Sequence, residues 1–141
     1  MDKEGGYLIG RIHLEGNRLL NKLLQNHHVN SFTSEQGKIL YQLWKEDGLT
    51  LTELASRTGL ALNTLSKMVQ TMERQGLIEK QAILGDKRRK QIILAELGRQ
   101  AKEDSQEISK IMIDQMYKGF SSKEIEVFEN QLRRILKNFK K

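Results

Sequence analysis

The chain has 141 residues, 38% of them hydrophobic and 30% charged, with a formal net charge of +6; that suits one globular domain with a core and is too short for two of ordinary size. It has no cysteine, which excludes disulfides, thiolate metal sites, cysteine nucleophiles and thiol-based redox sensing, and no proline to force a helix to break. No apolar run approaches the roughly 18 residues of a membrane span, and Met1 to Gly6 show no basic-then-apolar leader, so the expectation is a cytoplasmic protein with no membrane partner.

The first apolar pattern runs from Tyr7 to about Gln25. Leu8, Ile12, Leu19, Leu20, Leu23 and Leu24 recur there at helical spacing, predicting a helix with one long apolar face. His27-His28-Val29-Asn30-Ser31 breaks it. A second helix opens at Thr33, whose hydroxyl and the amide of Gln36 form a capping-box pair; Ile39, Leu40, Leu43 and Trp44 make its buried face, and Asp47-Gly48 ends it. Thr50 and Glu53 open a short third helix with Leu51, Leu54 and Ala55 inward, stopped by Gly59 in the left-handed conformation. A fourth helix follows from about Leu62 to Gln75, with Leu62, Leu65, Met68, Val69 and Met72 as its apolar positions and Gly76 as its stop. Two helices joined by a short glycine-containing turn form a helix-turn-helix pattern.

Leu77-Ile78 and Ile92-Ile93-Leu94 are two short strand-like runs, and the Glu79–Gln91 stretch between them predicts a long basic turn, a wing. Ala82, Ile83 and Leu84 are unusually apolar for such a turn. From Glu96 the helical period returns, with Ala101, Ile108, Met112 and Met116 on one stripe and Gly119 at its end. Ser121 and Glu124 open a last helix in which Ile125, Phe128, Leu132, Ile135 and Phe139 recur in a heptad-like 3-4-3-4 seam. The expected fold is therefore mainly α with a small β-ribbon wing: a winged helix-turn-helix over residues 33–95, flanked by dimerisation helices at 1–32 and 96–141. The flanking helices carry more apolar face than the small central region can cover, so a homodimer is expected.

The charge is concentrated. Residues 57–90 hold eight basic and three acidic groups, net +5. A localised basic stretch suits a polyanion. The second helix of a helix-turn-helix fits the major groove of double-stranded DNA. Opposite the apolar face of this one stand Asn63, Thr64, Ser66, Lys67 and Gln70, whose side chains can bond base edges or phosphates. In the wing, Arg88 or Arg89 could enter a narrow minor groove, Lys87 and Lys90 suit phosphates, and Asp86 is expected to pair with a nearby Arg and hold the turn. A winged helix that binds protein instead of DNA is the contrasting reading, and little retention on heparin would mark it. An enzyme would need a nucleophile with its base, paired carboxylates or a phosphate-cradling glycine loop. The glycines here sit at helix ends, and the acidic residues of the last third alternate with lysines. No catalytic residue and no cofactor is expected. With only His13, His27 and His28 available, neither is a metal site.

The stretch Leu49-Thr50-Leu51-Thr52-Glu53-Leu54-Ala55, then Asn63 to Lys67, Glu73-Arg74-Gln75-Gly76-Leu77-Ile78, Asp86-Lys87-Arg88 and Leu94 to Gly98 resembles the MarR family of bacterial winged-helix regulators. The resemblance spans the chain in length and helix order. It implies a homodimer that binds a pseudo-palindromic operator, commonly as a repressor released by a small ligand, with Arg88 as the minor-groove arginine and Asp86 as its structural partner. It further implies an effector pocket between the dimer helices and the winged region, for which Ile12, Tyr41 and Trp44 are candidate walls and Arg11 a candidate partner for the carboxylate of a small aromatic or anionic effector. Three positions depart from the family pattern: Ala61 for a polar helix cap, Gln81 for a basic residue and Ala95 for threonine.

Overall fold

The computed structural model describes residues 2–140, and of Lys87 the backbone alone. The elements in chain order are α1 (Gly5–Asn26), α2 (Ser34–Lys45), β1 (Leu49–Thr50), α3 (Leu51–Thr58), α4 (Leu62–Arg74), β2 (Ile78–Ile83), β3 (Asp86–Leu94), α5 (Glu96–Met116) and α6 (Ser122–Phe139). They form two compact units, one ending at Ile108 and the other beginning at Ser109, so the boundary falls within α5. No helix among the described residues is long and apolar enough to cross a membrane.

All three capping boxes form. The side chains of Thr33, Thr50 and Ser121 accept the backbone N–H of Gln36, Glu53 and Glu124, and each of these residues reaches back to the cap's own N–H. Thr50→Ala should therefore cost about 1 kcal/mol of stability, read by thermal denaturation. The Thr50 N–H and then its hydroxyl hold the Glu53 carboxyl below the usual carboxylate range, with Arg57 and Arg89 adding to the effect, and Ser121 does the same for Glu124. Because both values are lowered on folding, this contribution is present above the unfolded glutamate range and is lost as pH falls through the folded values. An NMR titration should place both midpoints below that of an unfolded-peptide glutamate.

The core of the first unit gathers Ile39, Leu40 and Leu43 of α2, Leu49 of β1, Leu54 of α3, Leu65, Val69 and Met72 of α4, Leu77 just before β2, and Ile78 and Ile92 of the ribbon, all buried. Ala101 and Ile108 of α5 are buried too. The α5 start seats on this core through Gly98. A Cβ there would overlap the Leu77 carbonyl oxygen, Ala95 donates its N–H to that same oxygen at 3.0 Å, and the Trp44 indole N–H donates to the Gly98 carbonyl at 2.9 Å. Asp47 Oδ1 accepts the N–H of Gly48 and the N–H of Leu94, both at 2.9 Å, pinning the end of β3 to the α2–β1 turn.

Several expectations are corrected. Leu62, one of the apolar positions of α4, is 51% exposed and lies outside the core. The apolar face of α1 is covered only toward its C-terminal end: Leu24 is buried, whereas Leu8 and Ile12 are exposed. The long basic turn is instead a paired ribbon. β3 is the central strand, antiparallel to β1 (Leu49 opposite Ile92) and to β2 (Ile78 opposite Leu94). Backbone pairing runs out to Ile83 opposite Asp86, leaving only Leu84-Gly85 as the turn. Gly85 has φ 86°, the positive value that the third residue of a type II turn requires. Ala82 and Ile83 thus belong to a strand, while Leu84 stands at the tip and is fully exposed.

In the second unit the Tyr117 hydroxyl donates to Glu129 Oε2 at 2.6 Å, and its ring meets Phe120 and Phe128 edge-on at 5.9 and 6.2 Å. The hydrogen bond to Glu129, chiefly, raises the Tyr117 pKa. No residue of α6 is fully buried, and Val127, Ile135, Leu136 and Phe139 lie exposed along it.

Candidate nucleic-acid interface

Gly59 caps α3 at φ 77°, its N–H bonded to the Ala55 carbonyl, and the chain re-enters a helix at Leu62. Leu65, Val69 and Met72 press α4 into the core. This leaves Asn63, Ser66, Lys67 and Gln70, at spacings of three and four, on an exposed face, with exposed Thr64 beside them. Asn63 Oδ1 accepts the Thr64 N–H at 3.0 Å, so its amide NH2 remains available as a donor. Ala61 supplies no side-chain cap, and no acidic residue stands in the first turn of α4. The positive end of the helix dipole is therefore not neutralised locally, which suits a phosphate.

The ribbon carries the second set. Ala82 pairs with Lys90 and Ile83 with Asp86, so residues 87–89 have no opposite number on β2 and form a bulge. A bulge re-aims side chains away from the regular ladder. Arg88, Arg89 and Lys90 are exposed, and neither they nor Lys67 joins an ion pair among the described residues. The Lys87 side chain lies outside the described residues. Asp86 acts differently from expectation: its Oδ1 accepts the backbone N–H of Arg88 at 3.0 Å rather than pairing with a guanidinium. It shapes the bulge and leaves the Arg88 head free. The positive charge of Arg89 adds a small lowering of the Glu53 pKa, after the larger effects of Thr50 and Arg57.

The four candidate effector residues are scattered among other duties. Arg11 lies 3.5 Å from Glu15 and from the Tyr7 hydroxyl. Ile12 is exposed. Tyr41 is exposed with Lys45 Nζ 5.0 Å from its ring centroid. Trp44 is spent on Gly98 and on an edge contact with Phe32 at 6.1 Å. Among the described residues no hydrogen bond, ion pair or ring contact joins Arg11 or Ile12 to Tyr41 or Trp44.

The sequence model of the MarR family matches residues 32–90, the stretch that holds α2, α3, α4 and most of the ribbon. The Staphylococcus aureus MepR–DNA complex has a TM-score of 0.85 and 26% identity, covering 98% of this chain and 100% of that one. Over residues 32–90 the chain is similar to the MarR family. Among curated relatives, the HTH-type transcriptional regulator TtmR of Methylorubrum extorquens is 32% identical over 82 residues, 58% of this chain. That match spans only 40% of TtmR's own length. The transcriptional repressor IacR of Pseudomonas putida is 21% identical over 132 residues, 94% of this chain and 77% of that protein. MarR proteins are transcriptional regulators and not enzymes, and this chain carries their six-helix, three-stranded winged architecture.

Proposed function

We propose that this chain is a homodimeric repressor that binds a pseudo-palindromic DNA operator and is released by a small aromatic or anionic effector. The observation that carries the DNA reading is the pairing, within one compact unit, of an exposed polar α4 face with a cationic bulge whose exposed Arg88 and Arg89 join no ion pair among the described residues. Residues 33–95 bind DNA. Asn63, Thr64, Ser66, Lys67 and Gln70 meet base edges and phosphates in the major groove. Arg88, held out by Asp86, enters the minor groove, while Arg89, Lys90 and Lys87 neutralise phosphates. The helices of 1–32 and 96–141 carry the dimer contacts, because the exposed apolar residues of α1 and of α6 need a cover that a second copy supplies. Half-sites should lie about one helical turn apart, roughly 10 bp centre to centre. IacR's description as a repressor supports the sign of regulation.

Selection from random duplex DNA tests this directly. The expected result is an inverted repeat with that spacing, bound by two chains. A protein-binding module would instead enrich no sequence and would elute from heparin at low salt. For the effector, Trp44 serves as the probe: titration with a panel of aromatic acids should quench its fluorescence and weaken operator binding together. An effector acts only if it binds the DNA-competent and incompetent states with different affinity. A full panel with neither effect would remove the effector part of the proposal and leave the DNA part standing.

A further inference from the structure

Leu62 lies outside the buried core. Leu65, Val69 and Met72 already hold α4 in the core, while Leu62 is the first residue of the helix and half open to solvent. A single exposed leucine is ordinary on a protein surface. This one stands next to Asn63 and Thr64, at the end of α4 that in a helix-turn-helix approaches base edges. Of the groups that the four bases present in the major groove, only the C5-methyl of thymine is apolar. An aliphatic side chain at this point has nothing to gain from a guanine, cytosine or adenine edge, and it can bury a methyl.

We propose that Leu62 is a specificity-determining residue that packs on a thymine methyl in each half-site. This rests on the DNA-binding reading above, and the test separates the two. The probe is the operator recovered by selection, with each thymine in turn replaced by deoxyuridine. That change deletes the methyl and keeps every hydrogen-bonding group. Wild type and Leu62→Ala are compared by fluorescence anisotropy. One thymine per half-site should be sensitive: its replacement should weaken wild type about fourfold, the worth of one buried methyl-sized group. Leu62→Ala, which removes the contact from both half-sites, should bind the unmodified operator roughly sixteenfold more weakly and be indifferent to deoxyuridine at that position. It should melt at the wild-type temperature, because Leu62 is not part of the core. If no thymine is sensitive, or if both proteins respond equally at every thymine, Leu62 does not read a methyl, and the DNA-binding reading survives. If wild type selects no sequence at all, both fall.

Discussion

Gly98→Ala should destabilise the first unit by about 3 kcal/mol, at the upper end of what overpacking costs, even though alanine is the better helix former. The added methyl would overlap the Leu77 carbonyl oxygen and press on Leu94. Neither can give way freely, because the Leu77 oxygen already accepts the Ala95 N–H and the Leu94 N–H is held by Asp47. A shift of α5 would in addition break the Trp44–Gly98 hydrogen bond. Gly37→Ala is the matched control. A Cβ there meets only the Phe32 ring at ordinary contact distance, so the helix gain should stand, up to about 1 kcal/mol of stabilisation. Urea denaturation of the two variants reads the difference. Similar behaviour would mean that α5 is not clamped at Gly98.

The double substitution Leu132→Glu and Ile135→Glu should abolish the dimer. Sedimentation should give twice the chain mass for wild type at micromolar concentration, and the mass of one chain, or unfolded material, for the double mutant. Both residues lie on the α6 seam, and no α6 residue is fully buried within a single chain. Two carboxylates placed in an interface without partners cost more than the seam can return. A double mutant that remains a folded dimer and binds DNA as wild type would place the interface elsewhere.

The helix order and the three capping boxes were legible in the sequence because they are local: a hydroxyl and a Glu or Gln three residues on are enough. Gly59 was legible for the same reason. The ribbon was legible as two strands, but its full length and its third strand were not, because ladder hydrogen bonds join backbones and are nearly blind to side chains. The exposed, polar outer halves of β2 and β3 therefore read as a loop, and β1, only two residues long, gave no period to detect. Leu62 misled because its spacing to Leu65 is helical, yet it lies about 60° around the helix from it. That residue starts α4, at an end the core does not cover. Asp86 was placed correctly at the turn, but the partner it found was the Arg88 amide, and a local backbone bond wins over a guanidinium whose long side chain must be ordered. The roles of Trp44 and Gly98 depend on a contact between residues 54 apart, which no local pattern encodes.

The measurement that bears most directly on the central claim compares wild type, Lys67→Ala and Arg88→Ala on one selected operator and its half-site variants across a salt series. Lys67 is on the α4 face and Arg88 on the ribbon bulge, so their losses should differ in kind. Lys67→Ala should change the ranking of half-site variants by roughly 1–3 kcal/mol per lost base contact. Arg88→Ala should weaken all variants broadly, with any remaining preference confined to flanking A·T content, since the minor groove hardly distinguishes A·T from T·A. Each phosphate-binding lysine removed, tested with Lys90→Ala, should lower the salt slope by about one per contact, twice per dimer. Unchanged affinity in Arg88→Ala together with unchanged sequence preference in Lys67→Ala would contradict the assignment of helix and wing to DNA.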